Sequence, residues 1–341
     1  MNPIELIELC LSSNVFADFV KSAHLNETKV SVSFMKLKEP HALRTRFQIE
    51  MVGRGAFDVC IYEQKNDNRV WSKNRMVEGK PVESIRGEKQ YQRREELRFR
   101  TRDYKQLTKI FMDLLQSTFK TKIGVADFDA DVAYDSSSKA ELESNFQQES
   151  VKNAHSFSFL GLTVPHDSLE KFIENLDEIQ SLCVRCHVDS VVQPRKLPII
   201  NKLIVDRGCW ITKELFWELK CADISIRNHR LTDCDVNIFI KNWLNGTDRR
   251  LRSLKLSAER EFDMRGSGLV RGFENHLQPW NMNRRSRKFK IMPDRDDRYD
   301  INCEHARDIE RKDGLLASLV VSDGDFLFLV WHQRFRAEKS Q

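Results

Sequence analysis

The chain has 341 residues, 40% hydrophobic and 31% charged, with 56 basic against 51 acidic side chains and a net charge of +5. That is enough sequence for one large or two ordinary domains with a buried core, and too mild a charge excess to argue by itself for nucleic acid. No run approaches the roughly 18 to 20 apolar residues of a membrane helix. The opening residues also lack the basic region and small-residue cleavage site of a signal peptide, so a cytoplasmic or nuclear location is expected, with the eight cysteines as thiols.

The first stretch, MNPIELIELCLSSNVFADFVKS, predicts two helices. Asn2 is a fitting N-cap, Pro3 takes the favoured first helical position and Glu5 can complete a capping box. Ile4, Ile7 and Leu11, with Leu6 and Leu9, make that helix apolar on more than one side, which demands partners on both flanks. Residues 27–71 hold the alternating runs ETKVSVSFM, TRFQIEMVG and GAFDVCIYE, with Gly53 and Gly55 between the last two, and predict an antiparallel β region. A basic run follows at 93–102. DYKQLTKIFMDLLQSTFK, residues 103–120, predicts a helix with Leu107, Ile110, Phe111 and Leu114 in register, and KIGVADF predicts a strand. Asp127, Asp129 and Asp131 imitate the start of a calcium loop, but Val132 stands where Gly is required and Ser138 where Glu is required.

Five later segments share one apolar spacing: AHSFSF, IQSLCV, INKLIV, CADISI and LRSLKL. Their middle residues fall at 157, 182, 203, 224 and 254, intervals of 25, 21, 21 and 30. Those intervals lie near the leucine-rich-repeat range of about 20 to 29 residues. Helical connectors are readable in HDSLEKFIENLDEI, in ITKELFWELK and in LTDCDVNIFIKNWLNG. In the last of these Thr232 is the N-cap, Asp235 its capping-box partner, and Val236, Phe239, Ile240 and Trp243 form one apolar face. Gly246 is expected to end the helix in a left-handed conformation. Strands alternating with helices imply parallel pairing. The positions that carry a stacking Asn or Cys in regular leucine-rich repeats hold Leu162, His187, Gly208, His229 and Glu259, so a generic α/β sheet is the alternative. Cys183, Cys186 and His187 imitate a haem or zinc string without a complete ligand set.

Gly266, Gly268 and Gly272 match no phosphate-loop spacing and predict a surface loop. NRRSRKFK concentrates Arg284, Arg285, Arg287, Lys288 and Lys290, read as an exposed insertion with a polyanion patch as the alternative. ARDIERKDGLLASLVVSDGDFLFLVWH predicts a three-stranded meander with Asp-Gly turns at 313–314 and 323–324. The fold class is therefore mixed α/β: leucine-rich-repeat-like parallel strand/helix units flanked by an antiparallel N-terminal β region and a C-terminal β meander. The expected segments are 1–24, 25–120 and 121–335. No nucleophile–base constellation is present, so no catalytic, cofactor or metal residue is expected.

The helix ending in Trp243, the LRSLKL strand, the Lys-Asp-Gly turn and the closing Val330-Trp331, in that order, resemble the nematode F-box-associated domain of the second type. The resemblance implies a non-enzymatic protein-interaction module, the substrate-recognition part of an adaptor in an SCF-type ubiquitin ligase. Residues 1–24 resemble the later part of an F-box, without its leading Leu-Pro segment and first helix. The resemblance places contact with the Skp-family linker subunit on Pro3, Ile4, Leu6, Ile7 and Leu9, and assigns an unidentified protein substrate to the C-terminal part. The alternatives are nucleic-acid binding through 93–102 and 284–290, or an interaction protein that has lost ligase binding.

Overall fold

A computed structural model describes residues 28–36, 43–51, 55–63, 73–77, 80–89, 94–101, 103–119, 123–129, 143–144, 149–257, 268–290, 300–322 and 324–332. The chain divides into two compact units, residues 1–164 and 165–341. The first unit extends past residue 120 because the strand at 123–129 adds in parallel to the first strand of that unit and the strand at 156–160 adds in parallel to the strand at 123–129.

The strands of the N-terminal unit are β1 (Thr28–Lys36), β2 (Leu43–Met51), β3 (Gly55–Glu63), β4 (Lys73–Val77), β5 (Lys80–Lys89), β6 (Arg94–Thr101), β7 (Ile123–Asp129) and β8 (Ser156–Leu160). They are ordered β8-β7-β1-β2-β3-β6-β5-β4. The expected antiparallel run β1-β2-β3 is present. Helix α1 (Tyr104–Phe119) presents buried Leu107, Phe111 and Leu115, and the ring of Phe111 lies 4.8 Å from that of Phe47. Helix α2 (Glu149–Lys152) is a single turn. Strand alternation and register put Phe47, Val59, Ile61, Leu97 and Phe99 on one face, and Arg46, Asp58, Cys60, Glu96 and Arg98 on the other. On that polar face Arg46 donates to Asp58 at 2.7 Å, the Cys60 thiol to Glu96 at 3.0 Å and Arg98 Nε to Glu96 at 2.7 Å. The run at 93–102 thus contains β6, a strand with apolar residues on one side and ion-paired residues on the other.

In the C-terminal unit helix α3 (His166–Glu174) leads into β9 (Glu178–Val184) and β10 (Ile199–Val205). Helix α4 (Lys213–Glu218) leads into β11 (Cys221–Arg227), and α5 (Asp233–Asn245) into β12 (Ser253–Ser257). Strands β9 to β12 are parallel, and the recurring residues Leu182, Leu203, Ile224 and Leu254 stand opposite one another in register. The units are not uniform. No α-helix joins β9 to β10; residues 189–195 run beside α3, whose carboxylates Glu170 and Glu174 accept the backbone N–H groups of Gln193 and Arg195 at 3.1 and 2.7 Å. That satisfies donors a helix would otherwise have paired internally.

The meander is formed by β16 (Arg307–Glu310), β17 (Leu316–Ser322) and β18 (Asp325–Trp331), antiparallel throughout, with Gly314 and Gly324 at φ of 81° and 80° in the two turns. Strand β18 also runs antiparallel to β12, which joins the meander to the last parallel strand. The unit also contains the short strands β13 (Gln278–Pro279), β14 (Lys288–Lys290) and β15 (Asp300–Asn302). A second small core gathers Cys303, Ala306, Leu327 and Leu329 with Phe289, Ile301, Val320 and Trp331.

Candidate interaction surface

Helix α5 forms as its sequence predicts. Thr232 Oγ1 accepts the Asp235 N–H at 3.3 Å and the Asp235 carboxylate accepts the Thr232 N–H at 2.7 Å. Val236, Phe239, Ile240 and Trp243 are buried, and Trp243 meets Phe328 edge-on with centroids 5.0 Å apart. Gly246 is extended rather than left-handed, at φ −82°. Its requirement is space: a Cβ there would lie 2.9 Å from the Asn242 carbonyl oxygen. Asn237, buried on the same helix, donates from Nδ2 to the carbonyls of Leu269 at 2.8 Å and Arg271 at 3.1 Å, fastening the glycine-containing loop to α5.

The C-terminal end of α5 is tied to the Lys-Asp-Gly turn through Arg311. Its guanidinium lies over the Trp243 ring at 5.2 Å, donates to the carbonyl of Asp248 at 2.8 Å, and grips both oxygens of Asp313 at 2.9 and 2.7 Å. Arg249 adds a second hold on Asp313 at 2.9 Å. These hydrogen bonds, that from Arg311 first, hold the Asp313 carboxyl well below the usual carboxylate range.

Between these elements, at the edge where β10, β11 and β12 begin, lies a cleft of about 500 Å³. Trp217, Phe239 and Trp243 supply its aromatic lining, Leu197, Leu219 and Leu251 its aliphatic part, and Lys220, Asn242 and Asp248 polar groups. Trp243 is only 7% exposed, and its indole N–H has no acceptor among the described residues. Cys221 lines the same cleft, and burial pushes its thiol up to about 12, so it stays protonated and unreactive at neutral pH. An apolar recess with a few polar groups suits the side chain of a bound partner.

Residues 193–256 match the family model described as F-box associated. Over this stretch the chain is similar to F-box-associated domains. It is 23% identical over 204 residues to the uncharacterized protein F59B2.9 of Caenorhabditis elegans, covering 58% of this chain and 46% of that protein. It is 25% identical over 208 residues to F59B2.8 of the same organism, with the same coverage. The chain spans about half the length of the curated relatives it matches. No solved structure matches.

The matched residues build β10, α4, β11 and α5 and nearly all of β12, and every residue lining the cleft, from Lys196 to Leu251, lies within them. The parallel strands also have a face away from α5. By alternation and register this face carries half-buried Ser181, Lys202, Ile204, Asp223, Ser225 and Lys255.

The basic string 284–290 departs from its expected exposure at Arg285. Arg285 is 1% exposed and ion-paired to Asp308, while Arg284 pairs with Glu310, Arg287 with Glu304 and Lys288 with Asp300. Arg285 thus points inward, whereas Arg287 and Lys288 stay exposed with a carboxylate beside each, which weakens a polyanion role. Arg285, Asp308 and Arg311 were not singled out for these contacts from sequence, where only their charge was visible. Pro3, Ile4, Leu6, Ile7 and Leu9 lie outside the described residues, as do Gly266, Asp131 and Asp323.

Proposed function

We propose that this chain is a protein-recognition module, the substrate-binding part of an F-box adaptor in an SCF-type ubiquitin ligase. It catalyses nothing itself and works in the cytoplasm or nucleus. The supporting observation is that the cleft is lined entirely by residues of the F-box-associated match. In this reading β9 to β12 act as leucine-rich-repeat-like units: their recurring apolar residues stack in register, and the side chains between them form a presenting face. Trp217, Trp243 and Leu251 receive an apolar anchor of the substrate. Pro3, Ile4, Leu6, Ile7 and Leu9 contact the Skp-family linker.

The two halves are tested separately. Co-expressed linker subunit should purify with the chain and be lost with Leu6→Asp and Ile7→Asp; retention by that variant sinks the linker assignment. A photo-crosslinking residue at Asn242 should capture a partner that Trp217→Ala releases, whereas capture unaffected by Trp217→Ala would remove the cleft from substrate binding.

A further inference from the structure

At the opposite edge of the parallel strands, where they end, the first residues after β9 and β10 and the last residue of β11 form a charged row. Asp206 stands between Arg185, 3.7 Å away, and Arg227, 3.8 Å away. These separations are ion pairs rather than hydrogen bonds, and the two arginine side chains are 58% and 57% exposed. Arg207 and Arg230, in the loops leaving the same edge, are exposed and have no acidic partner among the described residues.

Among the described residues, the other acids of these loops are engaged elsewhere. Asp189 accepts the backbone N–H of His166 at 2.8 Å and contacts its Nδ1 at 2.9 Å. Asp233 and Asp235 occupy the first turn of α5, where carboxylates answer the positive end of the helix, and Asp235 closes the capping box. Among the described residues, Arg207 and Arg230 are thus the cations left without an acid at this edge.

The row is held in place by its backbone. The Asp206 N–H donates to the Val184 carbonyl at 3.0 Å and the Asn228 N–H to the Ser257 carbonyl at 2.9 Å. Asn228 holds a left-handed φ of 49°, a conformation asparagine tolerates better than most residues, and its carbonyl accepts the Cys209 thiol at 3.0 Å. Such pre-organisation lowers the ordering cost of binding, and the carboxyl ends of parallel strands are where α/β sheets commonly take ligands.

From this charge complementarity we infer that the edge bearing Arg185, Arg207, Arg227 and Arg230 binds an acidic peptide segment of a partner protein, its carboxylates displacing or sharing the contacts of Asp206. The inference rests on the reading of the chain as a recognition module and names the chemistry of what is recognised. Arginine is suited to the task because its planar fork can take a carboxylate with two parallel hydrogen bonds.

The test is fluorescence anisotropy with the full chain and a short fluorescein-labelled peptide of alternating Glu and Gly, at low and at physiological salt. Saturable binding that weakens with salt is expected. Arg185→Gln combined with Arg227→Gln should weaken it about tenfold or more, while Asp206→Asn should strengthen it several-fold. Circular dichroism of each variant confirms that it is folded. No saturable binding, or binding indifferent to both changes, overturns the inference. Tighter binding of a single-stranded oligonucleotide with the same dependence on Arg185 and Arg227 also overturns it, in favour of nucleic acid. Because the linker and cleft experiments use other residues, failure here is distinguishable from failure of the recognition reading.

Discussion

Arg285 holds both carboxylate oxygens of Asp308, with Nε at 2.9 and 2.8 Å and Nη2 at 2.8 Å, and neither side chain is more than 1% exposed. The same guanidinium donates to the Cys303 carbonyl at 2.9 Å and sits 5.2 Å from the Trp331 ring centre, while Ser318 donates to Asp308 at 2.7 Å and receives the Trp331 indole N–H at 2.8 Å. Removing one partner leaves a buried charge without its counter-ion. Arg285→Ala should therefore lower stability by about 3–5 kcal/mol, read as a shift in urea denaturation midpoint. A loss under about 1 kcal/mol would mean that water reaches Asp308 and pairs it instead.

Asp313 gives the domain a dependence on acid. Its carboxyl is depressed by Arg311 first and, among the smaller favourable causes, by Arg249 and the Leu315 N–H, so the unfolded chain takes up that proton more readily than the folded one. The resulting stabilisation is fully present above the unfolded carboxylate value of about 4 and is lost as pH falls below it toward the folded value. Asp313→Asn should lower the melting temperature at neutral pH, and the gap between variant and parent should narrow below about pH 4. A gap that stays constant with pH would place the loss in packing rather than charge.

Gly208 is fixed by a neighbouring strand. A Cβ there would fall 2.5 Å from Ile226 Cγ2 and 3.0 Å from the Arg227 carbonyl oxygen. Backbone cannot yield as a flexible side chain can, so Gly208→Ala should cost about 1–3 kcal/mol. Gly208→Ala together with Ile226→Val should recover part of that loss, and thermal unfolding of the pair against each single change checks it.

The cysteines should divide by exposure. Cys209 and Cys234 are exposed, whereas Cys60 and Cys221 are buried with thiols pushed up to about 12 and Cys303 to about 11. Brief alkylation of the native protein at mildly alkaline pH, followed by peptide mass spectrometry, should mark Cys209 and Cys234 and spare those three until denaturant is added. Early labelling of Cys221 would show that the cleft opens.

The parts of the fold legible in the sequence were those governed by local rules. Thr232 and Asp235 announced a helix because a capping box needs only three residues of separation, and Gly314 announced a turn because its left-handed φ excludes most side chains. The spacing of Leu182, Leu203, Ile224 and Leu254 revealed strands that align in register. Strand β6 was hidden because Arg98, Arg100 and Glu96 dominated a segment whose period-two apolar residues are only Leu97 and Phe99. Arg285 and Asp308 lie 23 residues apart, and nothing in a run of basic residues says which one points inward. The cleft was equally invisible: Trp217 and Leu251 come from different turns of the chain, and only the crossover geometry brings them to one edge.

The reversed polarity of β18 against β12 has an evolutionary consequence. A row of like-directed strands can lengthen by duplicating its last member, but here that border is already occupied by a strand running the other way. A further unit would have to be spliced between existing ones, breaking hydrogen bonds on both sides. On the proposed recognition role, changes of specificity are thus directed into the loops at the two strand ends, where substitutions leave the ladder untouched.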